Sequence, residues 1–370
     1  MQPTSRVIPF RMNLMNVQSI QIMRGLASIL VVLLHISIKG AQYGNGALQG
    51  FSIGGSGVDL FFLISGYIMC VSTASRSLTF YQFILLRIRR IMPLYWLVTT
   101  VGLAIYLYNP KLVNTSGGET SIWASYVLFP NGKKFLNSNG WTLSYEFFFY
   151  FILGFFIHKG TYKALQATSV ILSILVVIGL CINYDGVLFD FSTNILYLEF
   201  VFGMGCFYFF DRKAVRLDPK YGIVFCVLGS LLLVLEALCK VPDQEKWRGF
   251  LWGIPMLSIF SGLLSLEHLI QRSRSVVRSL LLEIGNSSYS LYLVHPFVLS
   301  GAAMGLRHFG MASNAWLFSI ILLTLSIVVG HLVYLYVEKP LISLIKRVPP
   351  GDLHASQSET MEVGATPNSR

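Results

Sequence analysis

Residues 22–38 read IMRGLASILVVLLHISI, a run in which Arg24 and His35 are the only ionisable side chains. About 17–25 apolar residues in a helix suffice to cross the ~30 Å hydrocarbon core of a bilayer. The run is continuously apolar, whereas strands of membrane barrels alternate. No small-residue cleavage site follows it, so we expect a retained membrane helix and not a signal peptide.

Further runs of this kind follow along the chain, which predicts an all-α fold, a polytopic membrane helix bundle of about ten transmembrane helices. Hydrophobic residues make up 54% of the 370 residues and charged residues 12%, about half the ~25% usual in a soluble domain. A soluble packed core is therefore excluded. We expect a transmembrane domain over 22–345, a segment before it at 1–21 and a disordered tail at 346–370, with spans near 22–38, 57–74, 91–108, 141–157, 165–183, 193–210, 221–238, 248–267, 287–305 and 315–337.

The charge distribution predicts the orientation of these spans. Lys and Arg number 28 against 17 Asp and Glu, a net charge of +11. With the N-terminus inside, twenty of the basic residues fall in inner segments and eight in outer ones, as the positive-inside rule requires. Both termini are thus expected to be cytoplasmic. The basic excess is explained by topology, and no nucleic-acid partner is expected.

Ionisable residues at depth in a membrane are candidate functional residues, because burying them in lipid is costly. His35, Asp59 and Glu146 are all predicted in the outer half of the membrane. A neutral imidazole oriented by a carboxylate can serve as a general base on a hydroxyl group. For Asp59 the alternative is an acidic residue that complements a helix dipole, and for Glu146 it is a structural ion pair.

Basic residues form a second group at the predicted inner face. Arg24 and His35 are eleven residues apart, which places them within ~20° of one helix face and ~16 Å apart along its axis. Arg87 and Arg90 share a face at i, i+3 spacing. These arginines fit either a phosphate-binding site for a soluble cofactor or an interfacial helix that holds anionic lipid.

Three more polar residues lie in apolar runs. His295 precedes Pro296, and two interpretations are open: a functional residue, or a group that satisfies the backbone carbonyl freed by the proline. Glu199 is a second buried acid, and Glu338 is expected to be an interfacial cap or ion pair. The five cysteines lack the spacing of a metal site, and we expect no metal.

Six elements of the sequence, in order, resemble the acyltransferase 3 family of integral membrane O-acyltransferases over about residues 20–342. No single element is specific, but six in order with fitting spacing are a strong signal. The elements are Arg24 followed by His35, DLFFLISGY (59–67), RIRRIMPLYW (87–96), WTLSYE (141–146), YSLYLVHP (289–296), and Glu338 with Pro340.

The resemblance implies a ten-helix bundle in the cell inner membrane that takes an acyl group, usually acetyl, from cytoplasmic acyl-CoA. The acceptor implied is a hydroxyl of an envelope or exopolysaccharide glycan or its lipid-linked precursor. The catalytic histidine of the family corresponds to His35, and its CoA-associated arginines correspond to Arg24, Arg87 and Arg90. We expect acetyl-CoA to be the donor, His35 to be the general base or an acyl carrier, and Glu146 or Asp59 to fix its tautomer.

Two rival functions remain open at the level of sequence. Buried His, Asp and Glu in ten spans also fit a proton-coupled transporter or a flippase of lipid-linked glycans, although the chain shows no repeated half. An acyltransferase that acts on a small molecule is the second rival. Labelled acetyl transfer by the purified protein separates transfer from transport.

Overall fold

A computed structural model of the chain describes residues 17–44, 47–48, 50–74, 78–113, 117–213, 217–239, 247–311 and 313–347. Over these residues the fold is built from α-helices, joined by short 3₁₀ and π turns. The helices are α1 (Gln18–Gln42), α2 (Ser56–Thr73), α3 (Phe80–Tyr108), α4 (Pro110–Val113), α5 (Ile122–Val127), α6 (Gly140–Phe156), α7 (Thr161–Cys181), α8 (Val187–Ser192), α9 (Tyr197–Phe207), α10 (Pro219–Cys239), α11 (Ile254–Ser265), α12 (Glu267–Arg272), α13 (Val276–Asn286), α14 (Ser288–His308), α15 (Ala315–Val333) and α16 (Lys339–Arg347).

The predicted helical membrane fold is confirmed. Nine helical segments of the described chain are long and apolar enough to cross a membrane. The remaining predicted span, 248–267, corresponds to a shorter apolar helix, Gly249–Ser265. The predicted span 91–108 is the second part of a longer helix of 29 residues, α3. Most of the predicted tails, 1–21 and 346–370, falls outside the described residues, and the cytoplasmic location of both termini stays a prediction.

Helix α2 lies at the centre of the bundle, between α1 on one side and α9 on the other. Glycines allow both approaches: a Cβ placed on Gly57 would lie 2.5 Å from the carbonyl oxygen of Ala27, and one on Gly203 would collide with the carbonyl oxygen of Leu63. Small residues bring membrane helices together in this way. The close packing fixes the position of the polar side chains that α1 and α2 carry.

The long connection between α3 and α6 packs against the end of the bundle where α1 carries His35. The Tyr95 hydroxyl donates to the carbonyl oxygen of Ser125 at 2.6 Å. The Ser125 hydroxyl oxygen in turn accepts from the backbone N–H of Leu136 at 2.8 Å. The first of these buried hydrogen bonds ties the connection to α3, and the second holds its residues 125 and 136 together.

Candidate active site

Two histidines from different helices meet in the bundle. His35 on α1 and His295 on α14 have ring centroids 4.9 Å apart, and His295 Nε2 lies 3.2 Å from His35 Nδ1. His295 is fully buried, whereas His35 is partly exposed. The tertiary structure thus gives His35 a second imidazole as its neighbour.

The hydrogen bonds of this histidine pair define which nitrogen carries each proton. His35 Nδ1 lies 3.0 Å from the carbonyl oxygen of Val31, and His295 Nδ1 lies 3.0 Å from that of Leu291. Because a carbonyl oxygen only accepts, each neutral ring carries its hydrogen on Nδ1. His295 Nε2 then accepts from His35 Nδ1–H, and a lone pair remains on His35 Nε2.

The proline after His295 is accommodated by a residue outside α14. Pro296 has no N–H for the carbonyl oxygen of Tyr292, one turn earlier. The side-chain amide of Asn139 donates to that oxygen at 2.5 Å. The His295 ring also makes a backbone hydrogen bond to Tyr292, so Asn139 and His295 satisfy the freed carbonyl together, and both interpretations of His295 stay open.

A central cavity of about 190 Å³ opens between α1, α2, α3, α6 and α14. Its charged lining residues are Arg24, Arg87, Arg90 and Glu146, and most of the remaining lining is apolar or aromatic. Four of the six predicted site residues, from three helices, are therefore brought to one cavity. Asp59 and His35 are not among its lining residues.

Tyr292 joins the central cavity to the histidine pair. Its side chain lines the cavity, and its ring centroid lies 6.0 Å from that of His295. Its hydroxyl group is 2.8 Å from that of Thr142, another lining residue. The cavity thus extends from the arginines toward Tyr292, which contacts the histidine pair on its other side.

Two of the three arginines are available for an anion. Within the described chain, no hydrogen bond or ion pair engages the guanidinium group of Arg24, which has Arg90, Glu338 and Glu146 as its charged neighbours. Arg87 packs its guanidinium 5.6 Å from the ring centre of Phe83, and its buried Nε has no hydrogen-bond partner. Half-buried cationic donors of this kind fit phosphate oxygens.

The third arginine has a protein partner. Arg90 Nη1 donates to Glu338 at 2.9 Å, and the Glu338 side chain is 1% exposed. The Ser290 hydroxyl donates to the other carboxylate oxygen at 2.6 Å. Glu338 is thus the ion-pair residue that the sequence suggested, but it lies inside the bundle and connects α3 to α14.

Glu146 faces the central cavity and is held by two hydroxyl groups. Ser65 donates to its Oε1 at 2.6 Å, and the Tyr150 hydroxyl donates to the same oxygen. No hydrogen bond joins Glu146 to His35 among the described residues. This corrects the expectation that Glu146 fixes the tautomer of His35, a role that Val31 and His295 fill.

Asp59 is engaged by a cation from elsewhere in the chain. Arg248 donates from Nη2 to Asp59 Oδ2 at 2.9 Å and from Nε to Oδ1 at 3.2 Å. The buried carboxyl group of Glu199 lies beside this pair, with Asp59 as its hydrogen-bonding neighbour. This corrects the expectation that Asp59 orients His35, because its carboxylate is bound by Arg248 instead.

Sequence reasoning did not assign His295 or Arg248 to the site. The signal for His295 was present, since a histidine in a membrane span needs a polar partner and the chain offers few. The signal for Arg248 was indirect: the buried acid Asp59 requires a counter-ion. Neither partner could be chosen from the sequence, because 260 residues separate the histidines.

Comparison with known proteins identifies the family of the chain. The model of the acyltransferase 3 family, described as an acyltransferase domain, matches residues 17–335. The chain belongs to the acyltransferase 3 family. The chain is 32% identical over 303 residues to the exopolysaccharide production protein ExoZ of Rhizobium meliloti (strain 1021), covering 79% of this chain and 90% of that protein.

A second relative is itself named as an acyltransferase. The acyltransferase MdmB of Streptomyces mycarofaciens is 24% identical over 372 residues, covering 89% of this chain and 92% of that protein. No solved structure matches the chain. The protein is therefore a multi-pass membrane O-acyltransferase of the acyltransferase 3 family, and its predicted family and enzyme class are confirmed.

Proposed function

We propose that the protein transfers an acetyl group from acetyl-CoA to a hydroxyl group of an exopolysaccharide or envelope glycan, or of its lipid-linked precursor. The observation that carries this proposal is one cavity that begins at three arginines and extends to Tyr292, beside the His35–His295 pair. The name of the relative ExoZ, an exopolysaccharide production protein, supports a glycan as acceptor.

The arginine end of the cavity suits the phosphate groups of a CoA thioester. Arg24 and Arg87 are cations without an ion-pair partner among the described residues, and phosphate oxygens satisfy such donors well. The cavity volume of about 190 Å³ is smaller than the ~300–1,000 Å³ of pockets that enclose a whole drug-sized ligand. We therefore place the acyl-pantetheine end of the donor in the cavity and the nucleotide outside it.

His35 Nε2 acts as the general base in this proposal. It removes the proton from the acceptor hydroxyl as the oxygen attacks the thioester carbonyl carbon. The C–O bond forms, the C–S bond breaks, and the proton passes from His35 to the departing sulfur of CoA. His295 Nε2 and the carbonyl oxygen of Val31 both accept from Nδ1–H, which stabilises the imidazolium form between these steps.

The proposed topology brings the two substrates together. The positive-inside rule places the arginine end of the bundle at the cytoplasmic face of the inner membrane, where acyl-CoA is available. His35 lies ~16 Å further along α1, toward the opposite face and the glycan. The apolar lining of the cavity limits loss of the thioester to water.

The direct test uses the purified chain in lipid nanodiscs with acetyl-CoA labelled in the acetyl group. We expect label to appear in glycan or lipid-linked glycan extracted from the source membranes, with one equivalent of free CoA released per acetyl group transferred. Proton-dependent glycan movement without acetyl transfer would favour a transporter. Transfer only to a small molecule would reject the glycan acceptor.

Arg87 should contribute to donor affinity. Removing a hydrogen bond to a charged group costs ~1.5–3 kcal/mol, so Arg87→Ala should raise the KM for acetyl-CoA about 10- to 100-fold. The KM for acetyl-pantetheine, which lacks the CoA phosphates, should not change.

Arg89→Ala is the matched control, because Arg89 lies on the same helix but does not line the cavity. An equal effect of both substitutions on acetyl-CoA would indicate that the arginines bind anionic lipid.

His295 is proposed as a positioning residue that acts through His35. His295→Leu removes one of the two acceptors for His35 Nδ1–H and should lower kcat about 10- to 100-fold, with the KM for acetyl-CoA unchanged. His295→Gln keeps a hydrogen-bond acceptor and should recover part of the loss. Steady-state kinetics of the two variants at equal folded concentration provide the test, and equal loss in both variants would reject this role.

A further inference from the structure

A second cavity lies at the end of the bundle that carries His35, between the segment before α6, the first turns of α6, and α8. Its volume is about 380 Å³. We name it the Trp141 cavity, after the residue at the start of α6 that lines it. The mechanism above assigns nothing to it.

The lining of the Trp141 cavity combines aromatic rings with charged and amide groups. Its aromatic residues include Trp141, Tyr145 and Phe191. The ring centroid of Tyr145 lies 4.7 Å from that of Phe191 and 5.8 Å from that of Trp141. The ring planes of Tyr145 and Trp141 are perpendicular. Asp190 and Asn194 lie in the same lining. Rings of this kind cover the apolar C–H face of a sugar, while carboxylate and amide oxygens accept from its hydroxyl groups.

The two cavities share helix α6. Trp141, Ser144 and Tyr145 line the Trp141 cavity, whereas Thr142 and Glu146 line the central cavity. Residues three and four positions apart share a face of a helix, so the helix presents one face to each cavity. A ligand in the Trp141 cavity is thus one helix away from the acyl-transfer site.

The lining of the central cavity and the lining of the Trp141 cavity are in direct contact. The ring of Phe62, a lining residue of the central cavity, lies 6.2 Å from the ring of Tyr145. Aromatic side chains therefore form the wall between the two spaces.

We propose that the Trp141 cavity is a carbohydrate subsite that holds a sugar unit of the acceptor glycan next to the unit that is acylated. This inference rests on the proposed function and names the place where its acceptor docks. A lipid chain fits the lining less well, because it would cover the Asp190 carboxylate and the Asn194 amide without offering them hydrogen-bonding groups. Lys133, which also lines the cavity, pairs with Glu119 at 2.6 Å, which keeps charged groups at this site.

The test measures sugar binding directly, independently of catalysis. The probe is a panel of neutral gluco- and galacto-tetrasaccharides, added to the full chain in nanodiscs and followed by saturation-transfer NMR. We expect saturation transfer to at least one tetrasaccharide with the wild-type chain and with His35→Ala. Trp141→Ala and Asp190→Asn should weaken that binding by about tenfold or more, since aromatic residues dominate such sites.

Trp123→Ala is the matched control, because Trp123 is 58% exposed at the same end of the bundle and is not a lining residue. It should leave the affinity unchanged. Equal binding by wild type, Trp141→Ala and Asp190→Asn overturns the inference, as does labelling of Trp141 by a photoreactive lipid that no sugar of the panel displaces.

The outcomes separate this inference from the function on which it rests. Sugar binding that depends on Trp141, with no acetyl transfer by the wild-type chain, would retain the subsite and reject the transferase proposal. Acetyl transfer whose KM for the glycan is the same in wild type and Trp141→Ala would retain the function and reject the subsite. Asp190→Asn confirms the assignment where Trp141→Ala does not fold, because Asp190 lies on the surface.

Discussion

Replacement of His35 by alanine is expected to lower kcat for acetyl transfer about 100- to 10,000-fold, the usual contribution of a general base. The substitution removes the Nε2 lone pair that the hydrogen bonds to Val31 and His295 leave available. Arg24, Arg87 and Arg90 are unchanged, so acetyl-CoA binding should persist. Initial rates with labelled acetyl-CoA, together with equilibrium binding of CoA, measure the two effects separately.

His331→Ala provides the control for the loss of a membrane histidine. His331 lies on α15, with its ring 6.1 Å from that of Tyr334, and its replacement should leave kcat within about twofold, as for a site without a catalytic contact. Retained transfer by a folded His35→Ala variant would remove this residue from the mechanism. An acetyl group found on His35 by intact-protein mass spectrometry, before acceptor is added, would replace the general base by an acyl carrier.

Replacement of Arg248 by methionine is expected to lower the free energy of unfolding by about 3–5 kcal/mol, the usual cost of leaving a buried charge without its partner. The Asp59 side chain is fully buried and the Arg248 side chain is 15% exposed. Glu199 lies beside them with its buried carboxyl group hydrogen-bonded to Asp59, so the substitution leaves the Asp59 carboxylate without its cation. Unfolding by steric trapping in bicelles measures the change.

The double variant Asp59→Asn with Arg248→Met should recover most of this loss, because it removes the unpaired charge. Arg307→Ala serves as the control: its guanidinium lies 5.6 Å from the ring centre of Tyr43 and is exposed, so we expect a change within about 0.5 kcal/mol. The double variant also tests Asp59 as a catalytic residue. Normal acetyl transfer by a folded double variant would assign Asp59 to stability alone.

Much of the architecture could be predicted from local sequence. The 29 residues of α3 begin at a capping box, in which Thr79 and Gln82 exchange hydrogen bonds at 3.1 and 3.3 Å, and a capping signal of this kind is visible in sequence. The span 248–267 was harder to predict from the sequence, because its helix is short and starts with a π turn at Gly249–Gly253. Backbone irregularities of this kind depend on neighbouring helices more than on the apolar count.

The residues of the candidate site could be predicted from the sequence, but their hydrogen-bond and ion-pair partners could not. The spacing of Arg24 and His35 placed both on one stripe of α1, and the arginines do meet at the central cavity. Depth alone suggested that Asp59 or Glu146 would contact His35. In the structure the Asp59 carboxylate accepts from Arg248, whereas Glu146 accepts from Ser65 and Tyr150. Residues at equal depth can face different neighbours around the bundle.

The sequence by itself determined that lipid surrounds this chain, that its elements are helices, and which polar side chains those helices carry into the membrane. These properties follow from the composition and order of each segment, since a backbone in hydrocarbon must satisfy its hydrogen bonds within its own helix. Only the tertiary structure decided which helices are neighbours. It thereby joined His35 to His295 and Asp59 to Arg248, because packing between surfaces distant in sequence selects those contacts.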